Sequence, residues 1–156
     1  MEQERMKDIP YSSVVESLMY AMTCTRPNIS YVVGLLGRYV SNLGIDHWAV
    51  AKKVMRYLRG TRECMLTYRA SNQLEVVGCS DSDYAGCLDS RKSGYVFLLA
   101  NGAISWKSKK QTCVFTSTTE TEFMACFEVI SMTIWLRNFI LELRVVDTIM
   151  KPLRMY

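Results

Sequence analysis

Ile29, Val32, Val33, Leu36 and Val40 recur at the three- and four-residue steps of one helix face. Thr25-Arg26-Pro27 stands before them, with Thr25 placed to cap and Pro27 in the first turn. Asn42-Leu43-Gly44 ends that run, and Gly34 and Gly37 weaken it from within. A shorter helical pattern, Ser13 to Ala21, follows a polar lead-in that ends at Pro10. A third helix carries Trp48, Ala51, Val54, Met55 and Leu58 on one face. There Asp46 is placed to cap, Ile45 to staple against Val50, and Gly60 to close the helix.

After Gly60 the pattern changes to strands. Cys64 to Arg69, Leu74 to Ser80 and Tyr95 to Ala100 are three candidates. Asn101-Gly102 is a two-residue hairpin signal, Ala103 to Lys107 returns, and Cys113 to Phe115 extends the meander. Thr119 to Leu143 is the longest helical pattern, with Phe123, Phe127, Ile130 and Ile134 as its main stripe. Its second half is apolar on more than one face and predicts partners on both sides. Pro152 to Tyr156 begins another strand. A right-handed crossover would set that strand parallel to a meander strand. The fold class is therefore mixed α/β.

Length and composition alter this picture little. At 156 residues the chain is about one domain long. The net charge of +4 is less telling than its distribution. Lys52, Lys53, Arg56, Arg59, Arg62 and Arg69 form one basic set, and Arg91, Lys92, Lys107, Lys109 and Lys110 another. Both flank the acidic run Asp81-Ser82-Asp83, an arrangement that suits either a polyanion partner or ordinary solvated surface. None of the six cysteines lies in a Cys-x-x-Cys pair and His47 is the sole histidine, which excludes zinc spacing. The charged start excludes a secretory signal, and charge interrupts the apolar stretches short of a membrane span. A cytoplasmic protein with reduced thiols and no membrane partner is the expectation.

Two acidic clusters carry the candidate chemistry. Asp81 and Asp83 are two apart at a strand end, so they share a face. Glu120 and Glu122 are two apart on a helix, so only one can face the sheet, and Glu122 is the expected one. Carboxylate oxygens suit magnesium, and a pair of such ions can carry phosphodiester hydrolysis. The competing structural roles are strand-ending turns for the aspartates and capping boxes for Ser117/Glu120 and Thr119/Glu122. His47 is expected to cap or pack, and Cys126 to lie buried on the long helix.

Read in order, several runs resemble the Pol polyprotein of copia-type LTR retrotransposons. They are Tyr11-Ser12-Ser13-Val14-Val15-Glu16-Ser17-Leu18-Met19-Tyr20, Thr25-Arg26-Pro27-Asn28-Ile29, His47-Trp48 and Met55-Arg56-Tyr57-Leu58-Arg59-Gly60-Thr61. Downstream come Ser80-Asp81-Ser82-Asp83-Tyr84-Ala85-Gly86, Ser105-Trp106-Lys107-Ser108-Lys109-Lys110-Gln111 and Ser117-Thr118-Thr119-Glu120-Thr121-Glu122-Phe123. The resemblance implies that residues 1–70 are the helical tail of a reverse transcriptase and 71–156 a partial ribonuclease H-like domain. In that family the activity is cleavage of the RNA strand of RNA–DNA hybrids with two magnesium ions, in cytoplasmic virus-like particles. By motif match Asp81 and Glu122 are metal-binding catalytic positions, with Asp83 a neighbour. Arg91, Lys92, Lys107, Lys109 and Lys110 would contact the nucleic acid. The segment between Lys92 and Gly94 is two residues shorter than the family pattern. The family's third metal aspartate follows a Leu-Tyr-Cys-like lead-in, and Leu153-Arg154-Met155-Tyr156 reaches only that lead-in. The expectation is thus a chain inactive alone, prone to self-association through an unpaired strand edge. The alternative is a non-catalytic nucleic-acid-binding or interaction module.

Overall fold

The computed structural model describes residues 8–68, 75–83, 92–110, 117–143 and 154–155, with backbone alone at 81–83 and 92. The chain divides into two compact units, Met1–Leu66 and Thr67–Tyr156.

The first unit is helical. Helix α1 (Tyr11–Cys24) leads through a short 3-10 turn (Pro27–Ile29) into α2 (Ser30–Gly37), and α3 (Ile45–Gly60) follows. Its core is Tyr11, Val15 and Leu18 of α1, Ile29, Val33 and Leu36, and Ala51 and Val54 of α3. Each set recurs at helical spacing, so one stripe of each helix turns inward. The Tyr11 hydroxyl donates to the Leu36 carbonyl at 2.9 Å. The Arg26 guanidinium donates to the Thr61 carbonyl at 2.7 Å, tying the start of the turn to the end of α3.

Three sequence expectations shift here. Thr25 closes α1, donating its N–H to the Ala21 carbonyl, and does not open the next helix. Val40 lies beyond α2 and is 41% exposed. Gly44, not Asp46, holds the cap position of α3, and Ile45 is exposed. His47 is the reason: its Nδ1 accepts the Gly44 N–H at 3.0 Å, while its ring stacks on Tyr39 at 4.0 Å. Capping and packing are thus its roles, as its place at a helix start suggested.

The second unit is a mixed sheet with one helix. Strands β1 (Val76–Asp83), β2 (Lys92–Leu99) and β3 (Gly102–Lys110) form an antiparallel meander. Helix α4 (Thr118–Glu142) then crosses to β4 (Arg154–Met155), which pairs parallel with β1. The order is β3-β2-β1-β4, so the crossover and the parallel last strand are as the pattern predicted. Cys64 to Tyr68 is not a strand; the Tyr68 hydroxyl instead donates to the Ala103 carbonyl at 2.7 Å. The expected strand at Cys113 to Phe115 lies outside the described residues. The hairpin turn sits one residue earlier than Asn101-Gly102. Ala100 and Asn101 both have positive φ, 48° and 66°, the signature of a type I′ turn, and Gly102 already pairs with Leu99. Ile104 is the extra residue of a bulge opposite Phe97 and Leu98.

Helix α4 turns its other side to the sheet than the one expected. Phe123, Phe127, Ile130 and Ile134 are all more than half exposed. The buried row is Thr121, Ala125, Val129, Leu136 and Ile140, of which the last three pack with Val76 and Phe97. Both rows have helical spacing, so periodicity alone does not choose between them. Small residues at Thr121 and Ala125 let the first turns approach the sheet closely. Cys126 is exposed, not buried, because it lies outside that row.

Candidate metal centre and basic face

Asp81 and Asp83 fall inside β1, opposite Gly94 and Lys92 of β2. The strand therefore runs through the acidic run instead of ending before it. Gly78 and Ser80 pair with Phe97 and Tyr95, the positions that α4 covers. The rows of Asp81 and Asp83 continue across the sheet. In the same rows lie Gly94 with Ser108, and Lys92 with Lys110.

The start of α4 is set by Ser117, whose Oγ accepts the Glu120 N–H at 3.2 Å. The Ser117/Glu120 spacing is thus the capping pattern used, not Thr119/Glu122. The buried Thr121 donates its hydroxyl to the Ser117 carbonyl at 3.1 Å. One residue on, about 100° around the helix, Glu122 is exposed.

The helix runs antiparallel to β1. The Ser93 hydroxyl meets Glu128 Oε2 at 3.5 Å, level with Ser82, and Thr133 meets Met155 Sδ at 3.5 Å, level with Gly78. So α4 begins at the end where β1 carries its aspartates. Glu128, half-buried, is the helix carboxylate level with that end. Glu122 lies six residues nearer the N-terminus, about 9 Å farther along the axis. Glu128 was not among the sequence candidates. Its signal is spacing: it follows Thr121 by seven residues and Ala125 by three, on the inward side.

Among the described residues no three His, Cys, Asp or Glu side chains come together as a metal cluster. The oxygen donors of Asp81, Asp83 and Glu122 are of the type magnesium takes. The described members of the basic set lie on β2 and β3. Lys107 and Lys109 are exposed on the edge strand β3, opposite Tyr95 and Ser93. Lys92 pairs with Lys110 in the row of Asp83. Arg91 lies outside the described residues.

The chain is 48% identical over 144 residues to the retrovirus-related Pol polyprotein from transposon TNT 1-94 of Nicotiana tabacum, covering 91% of this chain and 11% of that protein. It is 38% identical over 135 residues to the retrovirus-related Pol polyprotein from transposon RE2 of Arabidopsis thaliana, covering 85% and 9%. It is 42% identical over 133 residues to secreted RxLR effector protein 161 of Plasmopara viticola, covering 84% of this chain and 94% of that protein. The chain therefore spans about a tenth of these two Pol polyproteins and nearly all of the effector. No family model matches it. No solved structure matches it.

Proposed function

From the premise that the chain belongs to the Pol polyproteins of copia-type retrotransposons, we propose that its second unit is part of a ribonuclease H-like centre acting on RNA–DNA hybrids. The observation that carries this reading is the sheet order β3-β2-β1-β4, with an aspartate-bearing β1 between an antiparallel and a parallel neighbour. Helix α4 starts at the aspartate end of that strand.

On this reading Asp81 of β1 and Glu122 of α4 are the metal-binding carboxylates, and Asp83 is the neighbour of Asp81 in its strand. Magnesium, when bound, would activate water and offset charge on the scissile phosphate. The chain's own residues hold and orient. Strand pairing with Gly94 fixes the backbone of Asp81, and the Ser117 cap fixes the first turn of α4. The exposed Lys107 and Lys109 face the phosphate backbone of the hybrid. Two carboxylates and a neighbour are fewer ligands than a two-metal centre needs, so residues 1–156 by themselves bind hybrid and do not cut it.

The test is magnesium titration of the 156-residue chain by calorimetry, beside hybrid cleavage. Heat of binding that vanishes in Asp81→Asn, without cleavage, is the expected result. Equal heats for chain and variant would remove Asp81 from the metal centre. Cleavage that Asp81→Asn abolishes would show the set to be sufficient as it stands.

A second reading rests on the Plasmopara viticola relative. The same stretch makes up nearly all of a protein named as a secreted effector. On that reading the chain is a non-catalytic interaction module, and neither magnesium nor hybrid binds it.

A further inference from the structure

The outer side of α4 carries an apolar row that the sheet does not use. Phe123, Phe127, Ile130, Ile134 and Leu141 are 69, 58, 52, 57 and 42% exposed. Arg137, also exposed, falls in the same row. The steps of four, three, four, three and four residues are those of a seam that receives another helix. Trp135 and Phe139, about 120–160° round the helix from the row, stack on each other with ring centroids 5.2 Å apart. A single exposed apolar residue is ordinary, but a row along a whole helix marks a contact surface. We propose that this row is a self-association seam, on which a second copy of the chain lays its own α4 antiparallel.

The row is complementary to itself. Its positions are symmetric about Met132, so an antiparallel two-fold sets Ile130 against Ile134, Phe127 against Arg137, and Phe123 against Leu141. The row's one charge thus meets an aromatic ring, where a guanidinium is attracted. Parallel pairing would instead set Arg137 against Arg137. The flanking Met124, Cys126, Ser131, Thr133 and Asn138 carry no charge that would repel a second copy. Covering the row removes about 500 Å² per copy, about 1,000 Å² in all, the size at which a specific interface begins.

Helix α4 is also long and apolar enough to cross a membrane by length and composition. Its inner row is packed on the sheet, however, which favours a protein partner for the outer one.

Sedimentation velocity of the 156-residue chain across the micromolar range tests the proposal. The expected result is a species of twice the 17.9 kDa chain mass. Ile130→Glu with Ile134→Glu places four carboxylates at the centre of the seam, and it should halve the mass with unchanged circular dichroism. Phe127→Glu would face Arg137 of the second copy and should keep the dimer. A wild-type monomer, a dimer that survives the double substitution, or loss of the dimer in Phe127→Glu alone would each overturn the pairing. So would a wild-type monomer that cosediments with lipid vesicles.

Discussion

Glu128 and Ser93 meet at 3.5 Å between α4 and β2, level with Ser82 on the central strand. Two helix carboxylates therefore compete for the candidate centre: Glu122 by motif and Glu128 by height along the strand. Their substitutions should separate. Glu122→Gln is an exposed change, expected to shift stability by less than ~0.5 kcal/mol and to weaken magnesium binding. Glu128→Gln keeps a side-chain oxygen that can accept from Ser93, so it too should shift stability by less than ~0.5 kcal/mol, with magnesium binding unchanged. Denaturant melts and calorimetry measure both. A loss of magnesium binding in Glu128→Gln alone would move the helix ligand to Glu128.

The β2–β3 turn holds Ala100 at φ 48°, a left-handed conformation that disfavours a side chain. Ala100→Gly should stabilise the sheet unit by about 1 kcal/mol. Amide exchange in β2 and β3, which reports this unit apart from the helical one, should slow accordingly.

Gly102 behaves oppositely. A Cβ there would lie 2.7 Å from Tyr68 Cδ1, and the Tyr68 ring is anchored by its hydrogen bond to Ala103. Gly102→Ala should cost about 1–3 kcal/mol. Combining it with Tyr68→Ala should cost less than the two changes added, because the clash goes with the ring.

Burial pushes the Tyr11 hydroxyl above its ordinary pKa near ~10. An unfolded tyrosine loses its proton first, so above pH ~10 the folded state binds more protons and stability falls as pH rises. Below pH ~10 the contribution is complete. Tyr11→Phe should cost about 0.5–1.5 kcal/mol at neutral pH and flatten the alkaline loss. Urea midpoints across the alkaline range measure both effects.

If Lys107 and Lys109 face the hybrid backbone, replacing both with alanine should lower the salt dependence of binding. The slope of log K against log salt should fall by about 0.7–0.9 for each lost phosphate contact. An unchanged slope would place these lysines away from the nucleic acid.

Much of the sheet unit was legible because its signals are local and agree. Alternation marked the meander, and a strand beyond a long helix implied a parallel return. What was misread follows from signals that are equal at short range. Phe123 and Thr121 lie on rows of the same period, and only the sheet's need for small residues decides between them. Thr25 and Asp46 are good caps by type, but Thr25 closes the preceding helix and the His47 imidazole already serves Gly44. The strand was expected to end before Asp81, whereas pairing with β2 carries it on to Asp83, a register that no local signal contains. Glu128 was missed because no motif marks it, only its height on a helix whose inward side was assigned to the wrong row.

The pairing of Gly78 with Met155 has a kinetic consequence. The two lie about 75 residues apart, and a Cβ at Gly78 would sit 2.5 Å from Met155 Sδ, so the thioether occupies the space the glycine leaves open. Closing so long a loop is slow compared with forming the local β2–β3 hairpin. The β1 edge therefore stays bare through the early life of the chain, until residues 154–155 arrive to cover Val77 and Gly78. Synthesis that pauses before those residues lengthens the interval in which that edge can pair with a neighbouring nascent chain.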